Sequence, residues 1–123
     1  MKASRKDQAG TDSLINFKGY IVISLPNNFD ENVIDTIESS ILSELSSNKK
    51  IKGVLIGLDT VTTTDPHDLH RLRDMMAAIA LMGGRIGIFG INPGLAAVVI
   101  KSNLSLPIQA AGHDMEDLLK QRS

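Results

Sequence analysis

The sequence predicts an α/β fold: a mostly parallel central sheet, opened by an antiparallel β-hairpin and covered by about four helices. Three observations carry this expectation. Short runs rich in Val and Ile alternate with longer segments whose apolar residues recur every three or four positions, the pattern of β-α-β units. The runs at 51–58 (IKGVLIGL) and 85–90 (RIGIFG) are apolar almost throughout, as strands buried on both faces are. The first two runs, 14–17 and 20–25, are separated only by Lys18 and Gly19, which allows a two-residue hairpin turn and no crossover.

Taken in order, residues 1–13 (MKASRKDQAGTDS) show no periodicity and few apolar side chains, and are expected to form a disordered tail. The hairpin follows. After Pro26, the candidate N-caps Asn27, Asn28 and Asp30 precede apolar residues at Val33, Ile34, Ile37, Ile41, Leu42 and Leu45, one face of a helix. The strand at 51–58 leads into a polar loop, Thr60 to Thr64. Asp65 and Pro66 then start a second helix, a carboxylate at N-cap and a ring with preset φ at N1. Leu69, Leu72, Met76 and Ile79 mark its buried stripe, and Gly83 is placed to end it after Met82. A strand at 85–90, a short helix at 94–101, a weak edge strand at 108–111 and a last helix at 113–121 complete the order β-β-α-β-α-β-α-β-α. Right-handed crossovers then place the helices against a mostly parallel sheet.

Composition narrows the function. The length of 123 residues suits one domain, expected over 14–121, and 42% hydrophobic residues suffice for a core. Thirteen Lys+Arg against fourteen Asp+Glu give a net charge of −1, so nothing steers a nucleic acid or a membrane surface to this chain. Four aromatics are too few for a base-stacking platform. The absence of cysteine removes disulfides, Cys-type zinc sites and thiol nucleophiles, and fits the cytoplasm. No apolar run approaches the ~20 residues of a membrane span, and no signal-peptide core follows the basic start.

Two segments carry a family resemblance. They are GVLIGLDTVTTTD (Gly53 to Asp65) and LMGGRIGIFGINP (Leu81 to Pro93), the latter followed by an alanine-rich helix. Over roughly Leu14 to Gln121 the chain resembles the STAS domain, the fold of bacterial anti-sigma-factor antagonists, and within it the RsbS-type proteins of the stressosome. The helix exit L-M-G-G-R, the apolar strand and G-I-N-P are the more specific part, since RsbS-type proteins and their RsbR-type co-scaffolds show such a pattern at that place. The resemblance implies a non-enzymatic partner switch. A serine/threonine kinase of the anti-sigma-factor type docks on the domain and phosphorylates a Ser or Thr that directly follows an Asp at the start of the second helix. A phosphate there adds nearly two negative charges beside a helix N-terminus.

This chain departs from that pattern. Counted without a gap, the Asp falls on Asp65 and the phosphoacceptor on Pro66, which has no hydroxyl. A second regulatory Thr of some relatives falls on Val98, and an acidic residue common in the preceding strand on Gly57. Three readings compete: a constitutive binder or scaffold, an acceptor shifted to Thr62, Thr63 or Thr64, and a domain serving a different signalling branch. The implied partner-binding residues are Thr62, Thr63, Thr64, Asp65, Pro66, His67, His70 and Arg71, with Arg73 beside them. The implied partners are the switch kinase, an RsbR-type scaffold and further copies of the chain, the last because Ala77, Ala78, Ala80 and Leu81 make the second helix apolar on more than one side.

Other constellations have plainer readings. Asp65, His67, Asp68, His70 and Asp74 cluster within two helical turns; His67 and His70 at i, i+3 with a carboxylate are the basis of the competing reading, a small metal-dependent enzyme. A solvated first turn whose aspartates complement the helix dipole explains them without a metal. The glycines at 83, 84, 87 and 90 match no phosphate-binding motif, because Gly83 and Gly84 follow a helix. No serine stands in a nucleophile elbow, and His113 has only Asp114 beside it. Asn92-Pro93-Gly94 reads as a turn and helix start that can also touch a partner beside the Thr60 to His67 loop. No cofactor, metal or catalytic residue is expected. A detached relative of transporter-linked STAS domains is a third class.

Overall fold

The computed structural model describes residues 14–62 and 64–122; the tail expected over 1–13 lies outside the described residues. Five strands form one sheet in the order β1-β2-β3-β4-β5: β1 (Ile15–Phe17), β2 (Tyr20–Ser24), β3 (Gly53–Gly57), β4 (Arg85–Phe89) and β5 (Ala110–Gly112). Only the β1–β2 pair is antiparallel. Lys18 and Gly19 connect it with φ of 54° and 87°, the left-handed pair that matches the twist of a tight hairpin. Among the described residues three helices join the strands, α1 (Glu31–Ser47), α2 (Pro66–Leu81) and α3 (Pro93–Lys101), and a fourth, α4 (Met115–Arg122), follows β5.

Alternation along the strands splits the core in two. Ile21, Ile23, Val54, Ile56, Ile86 and Ile88 point to one face, where Ile34, Ile37 and Ile41 of α1, Leu69, Leu72, Met76 and Ile79 of α2, and Leu95 of α3 cover them. Tyr20, Val22, Leu55 and Phe89 point to the other face, beneath Leu118 of α4. Glycines on this second face make room for large neighbours. Gly57 stands opposite Phe89 in the β3–β4 register, and a Cβ at Gly57 would lie 2.6 Å from the Phe89 ring.

Helix ends follow the local chemistry. Asp30, Asp65 and Asn92 each accept a backbone N–H three residues on, and Pro66 and Pro93 occupy the first turns behind the last two caps. Helix α2 ends in a Schellman turn: Gly83, at φ 88°, donates its N–H to the Ala80 carbonyl, and Gly84 donates to Ile79.

Several boundaries and placements differ from the sequence expectation. Asp30 takes the α1 cap, leaving Asn27 for another role. The edge strand begins at Ala110 instead of Ile108: the Ile108 N–H is taken by Leu106, and the side-chain oxygen of Gln109 accepts the Ile86 N–H that a strand carbonyl would take. The last helix begins at Met115 because Asp114 serves as its cap, accepting the Asp117 N–H at 2.9 Å, while the Asp117 carboxylate accepts from His113. Met82, expected as the last residue of the second helix, instead caps it and is exposed, since the chain leaves the helix there; Leu81 is 89% exposed because it lies about 200° around the helix from Ile79.

The Gly57–Phe89 approach yields a stability test. Gly57→Ala is expected to destabilise the protein by ~1–3 kcal/mol through overpacking. Because the clash is with the Phe89 ring, combining it with Phe89→Leu should cost less than the sum of the two single changes in denaturant titrations. Additive costs would show that the two side chains do not compete for one space.

Candidate functional site

Strands β2, β3 and β4 end in step, Ser24 beside Gly57 and Gly57 beside Phe89, and the pairing runs one residue further through the N–H groups of Leu25 and Leu58. Three loops therefore emerge side by side at the carboxyl ends of the parallel strands, the edge at which open α/β sheets place their sites. They are 25–30 before α1, 58–65 before α2, and 90–92 before α3.

Side chains tie the middle loop to both neighbours. The Thr60 hydroxyl donates to the Leu25 carbonyl at 2.8 Å. Asn27 Oδ1 accepts from the Thr62 N–H at 2.9 Å and from the Thr62 hydroxyl at 3.1 Å. From the opposite side, Asn92 Nδ2 donates to the Val61 carbonyl, while Asn92 Oδ1 accepts the Leu95 N–H that begins α3. Val61 itself is buried. The loop is thus fixed at its base by its own buried Val61 and Thr60 hydroxyl and by two asparagines of the neighbouring loops.

The residues singled out from the sequence divide into groups here. Asp65 is exposed and caps α2 through the Asp68 N–H at 2.9 Å; Pro66 is exposed at the first helical position. Among the described residues the Thr64 hydroxyl has a long 3.5 Å contact, to the Asp65 carbonyl. Thr63 lies outside the described residues. His67 and His70 are both exposed on α2, and His67 Nε2 stands 3.5 Å from a Glu31 carboxylate oxygen of α1. Arg71 is placed differently. Its side chain is only 18% exposed, and its guanidinium donates to Asp35 at 2.7 and 3.1 Å and to Glu38, both on α1. Arg71 therefore joins the two helices and holds the α2 N-terminus against α1. Arg73 pairs with its own neighbour Asp74 at 3.2 Å.

The electrostatics of this edge are acidic. Asp30, Glu31, Asp65 and Asp68 sit at the caps and first turns of α1 and α2, with Asp35 and Glu38 further along α1 paired to Arg71. Partial desolvation, then the charge of Asp65, raises the Asp68 carboxyl above its ordinary value, with Asp30 adding to the shift and His67 opposing it. The hydrogen bond that Arg71 donates to Glu38 leads the causes that raise the Arg71 pKa and keep it charged. Among the described residues no three His, Asp or Glu side chains converge as metal ligands. Among them, too, no helix is long and apolar enough to cross a membrane.

Sequence reasoning did not find Asn27 as a loop anchor, nor Arg71 as a strut. Asn27 read as one of three caps, and the carboxylates that hold Arg71 are 36 and 33 residues away.

Two predictions test this geometry. Arg71→Met leaves Glu38 with a partly buried, unpaired carboxylate and should lower stability by ~1.5–3 kcal/mol, whereas Arg71→Lys should recover part of it by a single contact; urea titration decides. Asp68, whose folded pKa is raised above 3.8, binds its proton more tightly in the native state. Its contribution to stability therefore falls as pH rises from 3.8 through that raised value. Asp68→Asn should melt at a higher temperature than the parent above this window and with no such advantage below it.

No family model and no curated protein sequence matches the chain. Solved structures do resemble it. A variant of RsbS from Moorella thermoacetica superposes with a TM-score of 0.73 at 18% identity, over 88% of this chain and 91% of that one. A chain from the molecular architecture of the stressosome, a signal integration and transduction hub, gives a TM-score of 0.71 at 17% identity, over 88% and 93%. An anti-sigma-factor antagonist (STAS) domain protein from Planctomyces limnophilus gives 0.67 at 19% identity, over 89% and 97%. With its mixed five-stranded sheet, N-terminal hairpin and four helices, the chain has the STAS fold.

Proposed function

We propose that this chain is a non-enzymatic regulatory protein of a cytoplasmic partner-switching pathway. It acts as an RsbS-like antagonist or scaffold that binds a serine/threonine switch kinase and an RsbR-type co-scaffold through the edge from Thr62 to Arg71. The observation that carries this reading is Pro66 at the first turn of α2, directly after the capping Asp65, on a STAS fold. A proline there cannot accept phosphate, so the edge keeps one charge state. The surrounding aspartates also oppose a phosphate, whose two negative charges would add to Asp30, Asp65 and Asp68. The kinase then meets a permanently unmodified surface, and the polar first turn of α2, with His67 and His70 exposed, supplies its rim.

The runner-up is a shifted acceptor. Thr62 donates its hydroxyl to Asn27, while the Thr64 hydroxyl is the more weakly engaged of the two. Thr64 is therefore the better placed of these described threonines to receive a phosphate.

Incubation with a serine/threonine kinase of the anti-sigma-factor type and ATP, followed by phosphate mapping by mass spectrometry, separates the two. The expected result is a stable complex with no phosphate on residues 60–66. Pro66→Ser should gain phosphate on the introduced hydroxyl and release the kinase, at a stability cost of ~0.4–1 kcal/mol from the lost proline restraint. Phosphate on Thr62, Thr63 or Thr64 of the unaltered chain would replace the first reading with the second. No capture of the kinase in any form would overturn both.

A further inference from the structure

The two asparagines beside the middle loop have a chemistry that the helix caps do not explain. Asn27 makes no cap, yet its one carbonyl oxygen receives both donors of Thr62, 35 residues away. Asn92 does cap α3, but capping uses only its oxygen; its NH₂ is spent on the Val61 carbonyl, 31 residues away. The two contacts fall on adjacent residues, from opposite sides. They fix the peptide between Val61 and Thr62 by its carbonyl and its N–H at once, and this peptide lies three residues before the Asp65 cap. A peptide held at both polar ends has its plane set, and with it the direction in which the chain departs toward Asp65.

We infer that Asn27 and Asn92 are positioning residues that clamp the Val61–Thr62 peptide and so fix the base of the docking edge in one conformation. This rests on the reading of that loop as the docking edge and adds how its shape is kept without a covalent switch. The Thr62 hydroxyl is a structural donor under this assignment, as the Thr60 hydroxyl is to Leu25. A loop fixed beforehand also binds without the ordering cost that a loose one meets on docking.

Side-chain chemistry separates the clamp from capping. Asn92→Asp keeps an oxygen to cap α3, since Asp and Asn cap equally well, but places a carboxylate against the Val61 carbonyl in place of a donor. Asn27→Asp retains an acceptor for both Thr62 donors, whereas Asn27→Ala removes it. The measurement is amide hydrogen exchange at Thr62, by nuclear magnetic resonance, on the whole chain. Exchange should accelerate about tenfold or more in Asn27→Ala, the ratio that corresponds to one hydrogen bond, and should also accelerate in Asn92→Asp, while Asn27→Asp stays near the parent. Affinity for the switch kinase should fall in the first two variants and persist in the third, with α3 amides unchanged in Asn92→Asp. Thr62 exchange unaltered by Asn27→Ala would overturn the clamp, as would kinase affinity unaltered once the protection is lost. A parent chain that binds no kinase overturns the proposed function instead, and the exchange rates then decide the clamp alone.

Discussion

Strand β3 is hydrogen-bonded on both sides, to β2 and to β4, and every residue from Gly53 to Leu58 is buried. Its neighbours run parallel and in step with it, so the chain leaves all three strands at one edge and must return through helices on one face. That constraint decides most of the molecule. It brings the α1, α2 and α3 N-termini together, puts the two largest helices against the same six Val and Ile side chains, and leaves α4, among the described residues, to cover the opposite face. The glycines on that second face, with Phe89 over Gly57 and Leu118 close to Gly87, are what allow so short a helix to close it.

The edge made in this way is polar at its surface and rigid at its base. Val61 anchors the middle loop in the core, three polar side chains hold it laterally, and Arg71 binds the two helices that begin on either side of it. Each of these ties is modest, on the order of 1 kcal/mol net for a neutral hydrogen bond and more for the Arg71 contacts with carboxylates. They act on one short segment. The acidic first turns add a second property, because excess negative charge at a helix N-terminus that is already capped disfavours further anions, phosphate among them. Shape and charge therefore agree with a surface read in a single state.

Much of this was legible in the sequence wherever the cause is local. Lys18-Gly19, Asp65-Pro66 and Gly83 act within a turn or two, and their residue types name the geometry they adopt. The buried strands were legible from their unbroken apolar runs. Residues with distant partners were not. Arg71 looks like any surface arginine until α1 is folded beside it, and Asn27 looks like a helix cap until Thr62 arrives from a different loop. The edge strand was misplaced for a related reason: the Gln109 side chain replaces a backbone acceptor, which no strand pattern reveals. The helix after Asp114 was read two residues early because a capping aspartate and a first-turn aspartate look alike in sequence.

The central claim is that the docking surface lies at the carboxyl edge of the parallel strands. It is tested most directly by mapping amide chemical-shift changes on the isotope-labelled chain as its cognate kinase is added. The account predicts changes confined to the three loops and the first two turns of α2, including Thr62, Asp65, His67 and His70. Changes centred instead on the hairpin and α4, around Phe17, Met115 and Leu119, with the loop edge unaffected, would contradict it.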